Sequence, residues 1–133
     1  MRIVLDTNVL VSGLLNPNGT PGRILDLILG RYLTLLYDDR IIGEYSDVLA
    51  RPQLDIAEHQ SVAILSFFRL AGEQVIAYPL KADLLPDVDD LPFAEVAISG
   101  RADALVTGNT KHFKAIIGDI TILSPTELIN RLV

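Results

Sequence analysis

The chain has 133 residues, half of them apolar, which is one domain's worth of sequence with ample material for a core. It has no cysteine, so disulfides, thiolate metal sites and a cysteine nucleophile are excluded. Its net charge of −6 argues against broad nucleic-acid binding but not against a nuclease, because clustered site carboxylates raise the negative count and bind cations.

The first stretch organises the rest. Ile3, Val4 and Leu5 form an apolar run suited to a strand buried on both faces. The run stops at Asp6-Thr7-Asn8, and Asp6 either caps the next helix or belongs to a site at the strand's C-terminal edge. A short helix is predicted from Val9 to Leu15, followed by the turn cluster Asn16-Pro17-Asn18-Gly19. Thr20-Pro21 then opens a helix that Gly30 stops. Tyr32 to Tyr37 reads as a second buried strand ending at Asp38-Asp39.

The following helix presents Ile41, Ile42, Tyr45, Val48 and Leu49 to the core, with Glu44 bordering that stripe. A carboxylate there costs free energy unless it is paired or ligates a metal. Arg51-Pro52 ends the helix, and Ile56 to Ala71 is predicted as a longer one. The apolar residues of that longer helix nearly surround its axis, as they would if it were fully buried or packed against a partner chain. Gln74 to Tyr78 gives a third strand, and Pro79 to Pro86 a connector. The acidic run Asp87-Val88-Asp89-Asp90 precedes a helix over Leu91 to Ile98, with Asp90 at its cap and Glu95 expected on its polar side. Ala104 to Val106 is a fourth buried strand, ending in Thr107-Gly108-Asn109, and Asp119 to Leu123 a fifth. His59 and His112 read as surface or structural residues, the lysines beside His112 disfavouring its charged form. Ser124-Pro125-Thr126-Glu127 is a capping box that opens the terminal helix.

Strands alternating with helices predict a single α/β domain over residues 1–133, with a parallel sheet and helices on both faces. With strand order 3-2-1-4-5, Asp6 and Asn109 flank the switch point, and Glu44 and Asp90 lie on helices beside them. Oxygen ligands without cysteine select a hard cation, Mg²⁺ or Mn²⁺. Such an ion serves phosphoryl chemistry. No signal peptide or membrane span is expected, since no apolar run approaches ~18 residues, and the expected compartment is the cytoplasm.

These residues, in this order along the whole chain, resemble a PIN domain: Asp6-Thr7-Asn8, Glu44, Asp90 three before Phe93, and Thr107-Gly108-Asn109. The branch they resemble comprises VapC-related toxin components of toxin–antitoxin systems. The resemblance implies a Rossmann-like three-layer α/β/α sandwich with a five-stranded, mostly parallel sheet. It further implies a Mg²⁺- or Mn²⁺-dependent endoribonuclease, often a homodimer, inhibited by a cognate antitoxin. On this reading Asp6, Glu44 and Asp90 ligate the metal and, with Asn109, form the catalytic set. Asn8 and Thr107 orient those ligands, and Lys111, Lys114 and Arg101 guide RNA. Many PIN domains carry a fourth acidic residue where this chain has Asn109, which weakens the expected pull on a cation. Two other readings stand beside this one. An inactive relative that only binds a partner fits the missing carboxylate. A haloacid-dehalogenase-like phosphatase would need a second Asp where this chain has Asn8.

Overall fold

A computed structural model describes all of residues 1–133. Its strands are β1 (Arg2–Leu5), β2 (Thr34–Tyr37), β3 (Glu73–Gln74), β4 (Ala104–Val106) and β5 (Ile122–Leu123). Its helices are α1 (Thr7–Leu15), α2 (Thr20–Leu29), α3 (Asp39–Leu49), α4 (Glu58–Ala71), α5 (Leu91–Ser99) and α6 (Pro125–Leu132). Short 3-10 turns cover Pro52–Leu54, Val88–Asp90 and Thr110–Ile116.

The sheet order is β3-β2-β1-β4-β5 with every pair parallel, so the chain winds outward through β2 and β3 and then returns to the other side of β1. Central β1 sets the register, with Ile3 opposite both Leu35 and Ala104, and Leu5 opposite Val106. Ile3, Val4 and Leu5 are all fully buried. Successive strand side chains point to opposite faces, so helices must cover both sides of the sheet, as a three-layer sandwich requires. Helix α5 packs across β1, β2 and β4, while α2 meets α1 and α6. The aromatic core is built by Tyr45 of α3, which packs against Phe68 of α4 and Phe93 of α5 at centroid distances of 6.0 and 6.3 Å.

Several elements are shorter than the sequence predicts. β3 pairs over only Glu73–Gln74 because its partner β2 ends at Tyr37, and beyond it Ile76 and Tyr78 stand exposed. Helix α4 starts at Glu58 rather than Ile56, since Ala57 is extended and serves as its cap. The helix is not buried all round: Ile64 and Phe68 face the core while Val62 and Leu70 are exposed. Glu95 overturns the expectation that it lies on a polar face. It is buried in α5, where Arg40 donates to its Oε1 at 2.6 Å and the Leu80 N–H donates to its Oε2 at 2.8 Å. Arg40 also pairs with Asp38, the N-cap of α3, so this one carboxylate ties α3, α5 and the chain leaving β3 together.

Candidate active site

The C-terminal ends of β1 and β4 open onto a cleft of about 510 Å³ whose walls carry Asp6, Glu44, Asp87, Asp89, Asp90 and Asn109. Strand polarity explains the convergence. β1 and β4 run parallel, so the residues that follow Leu5 and Val106 leave the sheet side by side. Helices α3 and α5 flank that edge and contribute Glu44 and Asp90.

Asp6 serves as both cap and site residue. Its Oδ1 accepts the Thr7 N–H at 2.8 Å at the start of α1, and its Oδ2 accepts the Thr107 hydroxyl at 2.7 Å. Thr107 is fully buried and in turn accepts the Asn109 N–H at 3.0 Å, so one hydroxyl joins the two strand ends. The Thr7 hydroxyl donates to Glu44, and Asn8 accepts the Gly108 N–H at 3.4 Å. Thr107 thus anchors the Asp6 carboxylate, and Asn8 ties the loop after β1 to the loop after β4. Tyr45, buried beneath, donates its hydroxyl to the Leu5 carbonyl.

The electrostatics are those of a crowded acidic cleft. Burial raises the Asp6 carboxyl above its ordinary range, against the hydrogen bonds from Thr107 and Thr7. Burial also raises Glu44, helped by the charges of Asp6, Asp89 and Asp87 and opposed by the Thr7 hydrogen bond. Asp90 is pushed up to about 6, first by burial and then by Asp6 and Asp87. Its Oδ2 is buried, and the one cationic group within reach is His112, whose Nδ1 stands 3.4 Å away and pulls the carboxyl back down. A half-buried carboxylate facing other carboxylates, with only a long contact to one histidine, is a group that a cation would stabilise.

The donor set is all oxygen apart from His112, which suits Mg²⁺ or Mn²⁺ and not a soft metal. No three histidine or acidic side chains stand close enough, as they are, to enclose one ion; the carboxylates line the cleft's walls. Lys111 and Lys114 lie on the exposed 3-10 turn just after Asn109, outside the cleft lining. Arg101 sits elsewhere than its closeness in sequence suggests. It precedes β4, at the opposite end of the sheet from the site, and its carbonyl accepts a hydrogen bond from Arg2. The structure adds Asp87, Asp89, His112 and Arg51 to the cleft. The acidic run before α5 carried the signal for the first two, and the position of His112 three residues after Asn109 carried one for it, although it reads there as surface or structural; nothing in the linear pattern placed Arg51.

Comparison with known proteins agrees with this architecture. Residues 2–111 match the PIN domain family, and the chain belongs to it. Members of that family are nucleases that generally depend on divalent metals. Over 113 residues the chain is 34% identical to the uncharacterized protein MJ1680 of Methanocaldococcus jannaschii, covering 82% of this chain and 71% of that protein. Among solved structures, VapBC2 from Rickettsia felis bound to a promoter DNA fragment superposes with a TM-score of 0.63 at 20% identity, over 93% of this chain and 98% of that one. VapBC-1 from nontypeable Haemophilus influenzae gives 0.61 at 19% identity, over 95% and 99%. PAE2754 from Pyrobaculum aerophilum gives 0.59 at 18% identity, over 99% and 89%. At these identities the structural likeness establishes a shared fold. No helix is long and apolar enough to cross a membrane.

Proposed function

We propose that this chain is a Mg²⁺- or Mn²⁺-dependent endoribonuclease that hydrolyses RNA phosphodiester bonds as the toxin of a toxin–antitoxin pair, working in the cytoplasm. The observation that carries the reading is the trio Asp6, Glu44 and Asp90 on the walls of one cleft, all raised above their ordinary ionisation range. These three would hold the ion, and the Asn109 amide oxygen adds a neutral ligand or holds a water. The bound ion would supply an activated water and neutralise charge developing on the phosphate. The protein's own groups do the positioning. Thr107 fixes Asp6, Thr7 fixes Glu44, and Asn8 ties the two loops that leave β1 and β4. Lys111 and Lys114 would take backbone phosphates at the cleft's edge. The similarity to VapBC complexes supports an antitoxin partner, and a homodimer accords with the apolar residues left exposed on α4.

The test is cleavage of a labelled RNA in Mn²⁺, in EDTA, and with Asp6→Asn. Cleavage that needs the ion and disappears in the variant is the expected result. A metal-independent activity, or one that survives Asp6→Asn, overturns the reading. Asn109 favours a second reading, a non-catalytic relative that only engages a partner, because an amide pulls less on a cation than a carboxylate does. Folded protein that binds no Mn²⁺ and cleaves nothing would select it.

A further inference from the structure

We infer that Arg51 grips a backbone phosphate of single-stranded RNA on the α3 side of the cleft, next to the phosphate being cut. The inference rests on the nuclease reading above and adds a substrate contact to it. The cleft's lining is acidic, and Arg51 is its one arginine or lysine. Three other arginines are committed to carboxylates, Arg2 to Glu73, Arg40 to Asp38 and Glu95, and Arg69 to Asp39, while Arg23, Arg31, Arg101 and Arg131 make no ion pair but lie outside the cleft. Arg51 is exposed and makes no ion pair, although five carboxylates line the same cleft.

Its backbone is fixed. The Arg51 N–H closes the end of α3 on the Val48 carbonyl at 3.1 Å. Pro52 restricts the residue before it to extended conformations, and Arg51 adopts φ −64°, ψ 125°. Asp55, at φ 52°, ψ 39°, completes the tight turn. Glu44, Val48 and Arg51 succeed one another at intervals of four and three, so Arg51 extends the face of α3 that carries the site carboxylate. Glu44 and Arg51 line the same cleft about two helical turns apart, which places the guanidinium for a phosphate beside the one at the carboxylates. A planar fork of donors suits a phosphate oxygen pair. It also offsets the repulsion that an acidic cleft exerts on a polyanion. Lys111 and Lys114, on the turn after β4, lie outside the cleft lining, so Arg51 is the arginine or lysine placed to meet a strand inside it.

The test is fluorescence anisotropy with a 5′-labelled oligouridylate, with Ca²⁺ supplied to limit cleavage, over a series of salt concentrations. Arg51→Gln is expected to weaken binding several-fold and to flatten the logarithmic salt dependence by about 0.7, the value of one contact to a single strand. Arg51→Lys should restore the slope. Arg23→Gln, an exposed arginine outside the cleft, should leave it unchanged. A cation beyond a helix C-terminus also favours the helix itself, but that role would move the melting temperature and leave the slope alone. If the parent binds and Arg51→Gln keeps its slope, the inference fails while the nuclease reading stands. If the parent binds no RNA at any salt concentration, both fail.

Discussion

Replacing Asp90 with Asn should make the metal-free protein more stable at neutral pH. In the folded chain the carboxyl ionises only near pH 6, against 3.8 for the free group, so between those values the native state holds a proton that the unfolded chain has released. Stability therefore falls as pH rises through that window, and above pH 6 the full penalty is present. A shift of about two units corresponds to at most ~3 kcal/mol. The cleft is open to solvent, which reduces this to ~1–2 kcal/mol. The Asp90 side chain caps nothing, and the opposing pull of His112 is already contained in the raised value, so Asn forfeits little beyond that contact. Thermal melts in EDTA should place Asp90→Asn about 3–8 °C above the parent at pH 7.5. The gap should close below pH 4, where both states hold the proton. Mn²⁺ should reverse the order, because only the parent gains a strong ligand–ion linkage. An Asn variant no more stable than the parent at pH 7.5, or a gap indifferent to pH, would refute the account of Asp90 as a frustrated carboxylate.

Asn109→Asp should tighten Mn²⁺ binding and Asn109→Ala loosen it modestly, read by titration; no change in either places Asn109 outside the metal's reach. Glu95→Ala should cost ~1–3 kcal/mol in denaturant unfolding, because it strands the Leu80 N–H and leaves Arg40 only Asp38 of its two carboxylate partners, with Glu95→Gln costing less. Gly43→Ala should raise stability by ~0.5–1 kcal/mol, since Gly43 lies inside α3 and a Cβ there meets nothing within 4 Å; a loss of stability would contradict that open space. The affinity of the cleft for Mn²⁺ should rise between pH 5 and pH 7 as Asp90 gives up its proton, and calorimetry at several pH values measures it.

The sheet was legible because its central strands are buried on both faces and so appear as unbroken apolar runs: Ile3 to Leu5 and Ala104 to Val106 could hardly be anything else. The switch point followed from the strand order, and with it Asp6 and Asn109. Edge strand β3 was overdrawn, because Val75 to Tyr78 has strand composition but β2 offers no backbone to pair with beyond Tyr37. Glu95 was misplaced because its partner Arg40 lies 55 residues away and no local pattern reveals an ion pair between two helices. Arg101 was drawn toward the site by sequence distance, whereas strand direction puts the two ends of β4 at opposite edges of the sheet. Arg51 was visible only as a helix terminator; that it lines the cleft depends on the turn at Pro52 and Asp55.

The hydrogen bond from Thr107 to Asp6 joins residues 101 positions apart. That separation has a consequence during synthesis. β1 leaves the ribosome first, yet its neighbour β4 follows only after Asp6, Glu44 and Asp90 have all been made. Until β4 docks, β1 lacks one of its two partners and Asp6 lacks the hydroxyl that fixes it. A nascent chain that has not yet made β4 therefore carries every candidate metal-binding carboxylate without the strand that aligns Asp6.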